Sequence, residues 1–158
     1  MTSNIEETLR ELGYILPETN EPAANYLAYK QTGNILFVAG QICKWNGELL
    51  YRGAVGRDVS PEDAVKAAEI CALNLLLQIK NACDGSLDSL SNCLSLAVYV
   101  NSDASFHDHA RVANGASDIL IKCLGEKGRH TRVSLGCSSL PKNATVEISG
   151  IFELGQVA

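Results

Sequence analysis

The chain has 158 residues, of which 46% are hydrophobic and 20% charged, and a net charge of −5. These values exclude a disordered polymer, and the length suits one domain that buries roughly 70% of its unfolded surface without help from disulfides or metal. The acidic balance argues against a protein whose main work is coating nucleic acid or anionic membrane.

The N-terminus is polar and acidic, and the longest apolar run, Ile35 to Ala39, is far short of the roughly 18 residues that a spanning helix needs. No membrane span, secretory signal or transit peptide is expected, and a cytoplasmic location follows. Ser3-x-x-Glu6 forms a capping box for a short helix over about residues 4–12, stopped by Gly13. An irregular connector, Leu16 to Ala24, comes next. Gly33-Asn34 separates two β-prone runs, Tyr26–Lys30 and Ile35–Ala39, a hairpin signal. Trp45-Asn46-Gly47 marks a further turn, with a third strand expected over Leu49 to Arg57.

Ser60-Pro61-Glu62-Asp63 opens the clearest helix, with a serine cap, proline at the first turn and acids at the positive end of the dipole. Its body should run to about Cys83, with Ala64, Ala67, Ala68, Cys71, Leu75 and Leu76 on a packing face. Leu94, Leu96, Val98 and Val100 alternate with Cys93, Ala97 and Tyr99, which predicts a strand inside a sheet. A second helix is expected from about His107 to Leu124, ended by Gly125. Two last strands, about Thr131–Ser139 and Ala144–Leu154, flank Leu140-Pro141-Lys142-Asn143. Helices between strands permit parallel crossovers and hairpins demand antiparallel pairs, so the expected fold is α+β, a mixed sheet with two helices on one face.

Six cysteines, Cys43, Cys71, Cys83, Cys93, Cys123 and Cys137, are separated by 28, 12, 10, 30 and 14 positions. No C-x-x-C pair presents two thiolates to one metal ion, and reduced packing thiols are the simpler reading. Phosphate-binding glycine loops, nucleophile elbows and zinc-protease motifs are missing from the chain. His107-Asp108-His109 looks like a ligand cluster, but residues two apart on a helix diverge, so a solvated helix start is expected. Asn143-Ala144-Thr145 fits a glycosylation pattern and reads simply as a turn entering a strand.

The last thirty residues carry more chemistry. Arg129, His130 and Arg132 open one strand, and Glu147 interrupts an apolar one. If these strands form a hairpin about Pro141-Lys142, Glu147 faces Gly136, and Arg132, Ser134, Gly136 and Glu147 share a face. Arg132 and Glu147 then stand roughly 13 Å apart, enough for a small ligand between an arginine fork and a carboxylate. A one-residue slip destroys the arrangement, and residues of this kind also serve purely structural ends.

Val38-Ala39-Gly40-Gln41-Ile42, Val100-Asn101-Ser102 with Phe106, Val112 to Ser117, and Arg132 with Leu140-Pro141 and Val146-Glu147-Ile148 together form a pattern. On these residues the chain, from about Pro22 to Phe152, resembles the reactive intermediate deaminase family (RidA, also called YjgF or L-PSP endoribonuclease), in particular a longer subgroup. The resemblance implies a chorismate-mutase-like domain over 21–154, preceded by a helical extension and connector over 1–20. It also implies a homotrimer with clefts between subunits, and hydrolysis of enamines and 2-imino acids to 2-oxo acids and ammonia without cofactor or metal. Arg132 then binds the substrate carboxylate, Glu147 holds the attacking water, and Tyr26, Gly40, Asn114 and Ser134 line the cleft. The chain departs from the better-known members in Ala23-Ala24-Asn25 before Tyr26, in Ser134 where many have cysteine, and in Arg129-His130. A single-strand endoribonuclease or translation inhibitor, and a carboxylate-binding or holdase module without turnover, are the alternatives.

Overall fold

The computed structural model describes residues 4–155, which form three α-helices, α1 (Ile5–Glu11), α2 (Pro61–Ala82) and α3 (His109–Leu124), and two sheets. The main sheet holds β1 (Tyr29–Thr32), β2 (Ile35–Ile42), β5 (Leu90–Asn101), β6 (Thr131–Cys137) and β7 (Val146–Leu154), in the order β1-β2-β7-β5-β6. A small ribbon pairs β3 (Lys44–Trp45) with β4 (Glu48–Leu49). The mixed α+β architecture expected from the pattern is therefore present.

Local signals explain the element ends. Ser60 accepts a hydrogen bond from the Asp63 amide at the start of α2, and Pro61 follows it. At α1 the capping side chain is Asn4, which accepts from the Glu6 amide; the predicted Ser3 cap lies outside the described residues. Thr32 pairs with Ile35 across the two-residue turn Gly33-Asn34, with Gly33 at positive φ, as the hairpin signal requires. Tyr26 and Leu27 nevertheless precede β1, because pairing with β2 reaches back only as far as Ala28, whose carbonyl accepts from the Ala39 amide at 2.9 Å. The third strand expected over Leu49 to Arg57 shrinks to Glu48–Leu49 plus isolated bridges at Arg52 and Val55. Positive φ at Gly53 and Gly56 keeps that segment from extending.

β7 lies antiparallel between β2 and β5, while β6 runs parallel to β5 and forms an end of the sheet. The predicted β6–β7 hairpin is thus absent, and the 3₁₀ turn Pro141–Asn143 carries the chain over β5 rather than folding it back on β6. Glu147 pairs with Ile42 and Tyr99, not Gly136. Helices α2 and α3 cover one face, where Leu36, Val38, Leu96, Val98, Val100, Ile148 and Phe152 are buried against Ala67, Ala68, Cys71, Leu75, Val112, Ala116 and Leu120. All six cysteines are free. No helix among the described residues is long and apolar enough to cross a membrane.

Candidate active site

The two residues on which the sequence argument centred lie on opposite faces of the sheet. Arg132 shares a row with Leu96, whose side chain is buried beneath the helices; Glu147 shares a row with Tyr99, three residues farther along β5 and on the other face. Two strand spacings and three residue rises put their backbones about 14 Å apart. The separation resembles the expected one, but the shared face does not exist within one chain.

Arg132 sits in a groove between β6 and α3. Its Nη1 donates to Asn114 Oδ1 at 2.9 Å and Ser117 Oγ at 3.0 Å, and its Nη2 to the Ala110 carbonyl at 3.4 Å. Asn114 and Ser117 are three apart on α3 and so present side chains to the same neighbour. All three acceptors are neutral, and no carboxylate of the described residues forms an ion pair with Arg132. Nε and one Nη2 hydrogen stay unengaged, the edge through which a guanidinium grips both oxygens of a carboxylate.

His130 extends this network. Its Nδ1 lies 2.6 Å from the Gly128 carbonyl, which can only accept, so Nδ1 carries the proton; Nε2 lies 2.9 Å from Ser117 Oγ. In the neutral ring Nε2 accepts the Ser117 proton, which leaves the serine lone pairs turned toward Arg132. The Arg129-His130 pair was the sequence signal for this neighbourhood; Ser117, the hinge of the network, lay within the Val112 to Ser117 motif but was not singled out for a role.

Tyr26, Gly40 and Glu147 meet around a second cavity, with Gln41, Lys44 and Lys142. β2 bulges between Val38 and Gln41, where the register to β7 slips. A β-carbon at Gly40 would collide with Glu147 Oε1, so glycine there is what lets the carboxylate occupy its place. The bulge is braced by a polar chain: Asn20 Nδ2 donates to Gln41 Oε1 at 2.5 Å, Gln41 Nε2 to the Ala39 carbonyl at 2.9 Å, and Gln78 Nε2 to the Asn20 carbonyl at 2.6 Å. Burial alone pushes the Glu147 carboxyl above the ordinary range.

Ser134 shares the helix-side face of β6 with Arg132 and pairs with Val98. The structure thus divides the predicted residues into Arg132, Asn114 and Ser134 on one side and Tyr26, Gly40 and Glu147 on the other. His109, expected to be solvated, instead turns toward Ser102 Oγ (Nε2 at 3.2 Å) and meets Phe106 edge-on, in space that a side chain at Gly136 would fill. Cys43 is buried; its thiol is lowered to about 6, chiefly by a hydrogen bond from Cys71. Burial, with Glu147 nearby, raises the Cys137 thiol, so a ready nucleophile is not found there.

The family described as "YjgF/chorismate_mutase-like, putative endoribonuclease" matches residues 6–154, nearly the whole chain. The chain belongs to the YjgF family, in agreement with the resemblance read from its motifs. It is 36% identical to Protein TCP17 of Trypanosoma cruzi over 154 residues, spanning 97% of this chain and 96% of that protein. Two solved structures are close in shape. Atu1372 of Agrobacterium tumefaciens, whose structure was described with unknown function, is 43% identical and superposes with a TM-score of 0.89 over 95% of this chain and 92% of its own. A Shewanella oneidensis protein with an endoribonuclease label is 32% identical, with a TM-score of 0.92 over 96% of this chain and 100% of its own.

Proposed function

We propose that the protein hydrolyses 2-imino acids and their enamine tautomers to 2-oxo acids and ammonia, at sites where the Arg132 groove of one copy meets the Glu147 cavity of the next. The observation that carries this reading is the guanidinium of Arg132, fixed by three neutral oxygens and left without an anion. A planar carboxylate is the natural complement. Its position on the face opposite Glu147 is the reason a second copy is needed. A homotrimer whose subunits contact head to tail supplies such a junction three times over.

The chemistry asks little of the protein. Water adds to the imine carbon, already electrophilic, as Glu147 takes one of its protons and passes it to the imine nitrogen, which gives the carbinolamine; Glu147 then takes the hydroxyl proton as the carbonyl forms and delivers it to the amine, which leaves as ammonia. Nothing is oxidised or reduced. A carboxyl lifted by burial is suited to both halves, since raising it above the ordinary carboxylate range makes the carboxylate a better proton acceptor and keeps the acid form closer to hand. Tyr26 and Gly40 shape the cavity around the water, and Asn114 with Ser117 keeps the arginine aimed.

The test is ammonia and oxo-acid release from freshly generated 2-iminobutanoate and related imino acids. Arg132→Ala should lower kcat/KM on the order of 100-fold or more, the worth of two charge-assisted bonds. Arg132→Lys should recover little, because an ammonium cannot form the planar fork. Wild-type protein that performs no better than buffer on every imino acid overturns the reading.

A further inference from the structure

Two lysines, Lys44 and Lys142, line the Glu147 cavity, and neither forms an ion pair among the described residues. Lys44, at the start of β3, is fixed through its carbonyl, which accepts from Asn74 Nδ2 at 2.7 Å. Lys142 sits at φ 57°, ψ 20°, a left-handed conformation, followed by Asn143 at φ 61°. Non-glycine residues avoid that region, at a cost of order 1 kcal/mol each, unless the surroundings impose it. Here they do. The Asn143 amide donates to the Leu140 carbonyl and the Ala144 amide to Pro141, while the Asn143 carbonyl accepts from Gly53 at 2.8 Å. The turn therefore holds Lys142 against the rim of the cavity, opposite Lys44.

Both lysines line the one cavity, and burial, with the positive charge of Lys142, holds the Lys44 amine below the ordinary lysine range. Like charges so placed repel unless an anion lies between them. The nearby carboxylates do not serve. Glu21 and Glu147 line the same cavity, yet neither forms an ion pair with a lysine among the described residues. Burial is the cause of the Glu147 shift. The cavity measures about 70 Å³, room for a few waters or one small charged group and too little for an aromatic side chain.

We propose that Lys44 and Lys142 hold a second acidic group of the ligand, so that the substrate is an imino acid carrying a second carboxylate at its far end. This rests on the reading above, in which Arg132 grips the first carboxylate and Glu147 faces the reacting carbon. The lysine pair then selects by chain chemistry, while the arginine anchors.

Calorimetric titration of the full chain with 2-oxoglutarate and with 2-oxobutanoate, both stable 2-oxo acids, separates the two roles. Wild type should bind the dicarboxylate at least 10-fold more tightly. Lys44→Ala with Lys142→Ala should abolish that preference by weakening 2-oxoglutarate about 10-fold more than 2-oxobutanoate, whereas the arginine pair Lys44→Arg with Lys142→Arg should keep it. Arg132→Ala should weaken both ligands. Titration with inorganic phosphate checks the source of the anion: phosphate that binds at the lysines as tightly as 2-oxoglutarate overturns the assignment to a substrate carboxylate. Equal affinities for the two oxo acids, a preference that survives loss of both lysines, or no binding of either acid, also overturn it. Failure of the deaminase reading alone looks different: the lysine-dependent preference stands, but no imino acid releases ammonia faster than buffer.

Discussion

Arg132 gives both Nη1 hydrogens to uncharged oxygens, and this economy separates it from the surface arginines Arg57 and Arg111, which face Asp58 and Glu62. Ser117 positions it without touching a ligand in the proposed site. Ser117→Ala should therefore raise KM several-fold, as one neutral hydrogen bond to a charged donor is worth roughly 1–2 kcal/mol, with kcat nearly unchanged; a fall in kcat alone would contradict a positioning role. Glu147 gives a pH prediction. Its folded carboxyl is raised by burial above its unfolded value, so the native state resists ionisation, and stability falls as pH rises from the unfolded value through the folded one. Glu147→Gln should accordingly raise Tm at pH 8, by at most about 1 kcal/mol equivalent since the residue is only half-buried, and lose that advantage at pH 4. Equal gains at both pH values would show that ionisation is not the cause.

Between helices the decisive contact is Gly115, where a β-carbon would strike the Val65 carbonyl of α2. The close crossing sets the depth at which α3 lies over the sheet, and hence the reach of Asn114 and Ser117 to Arg132. Gly115→Ala should cost about 1–3 kcal/mol and weaken carboxylate binding together, read by thermal melting and calorimetry; a stable variant with intact binding would remove the crossing from the account. Ser60→Ala at the α2 cap should cost about 1 kcal/mol with binding unaffected. Both helices, their stops and the interior strand β5 were legible in the sequence because capping residues and 3.6- and 2-residue periods are local. Strand order was not. The signals around Pro141 mark a turn, but whether the next strand lands beside β6 or beyond β5 depends on burial of β7 on both edges, by β2 and β5. The shared face expected for Arg132 and Glu147 was therefore misassigned. Lys44 and Lys142 escaped notice because 98 positions separate them in the chain.

At the scale of the molecule, the face of the sheet away from the helices is apolar where a lone chain would be wetted. Phe37 (47% exposed), Tyr99 (37%), Val133 (50%) and Leu135 (39%) all lie on it. An apolar sheet face of this kind favours association, and the trimer proposed above would cover it. The assembly and the divided site stand or fall together in one experiment. Arg132→Ala and Glu147→Gln should each be nearly inactive alone. When the two variants are unfolded, mixed in equal amounts and refolded, each junction draws its arginine side and its glutamate side independently. About a quarter of the junctions then combine an intact Arg132 with an intact Glu147, and about a quarter of wild-type ammonia release should return. Mass spectrometry under native conditions would verify that trimers carry both variants. Mixed trimers with no recovered activity would mean that Arg132 and Glu147 act within one chain, against the opposite faces on which the sheet places them.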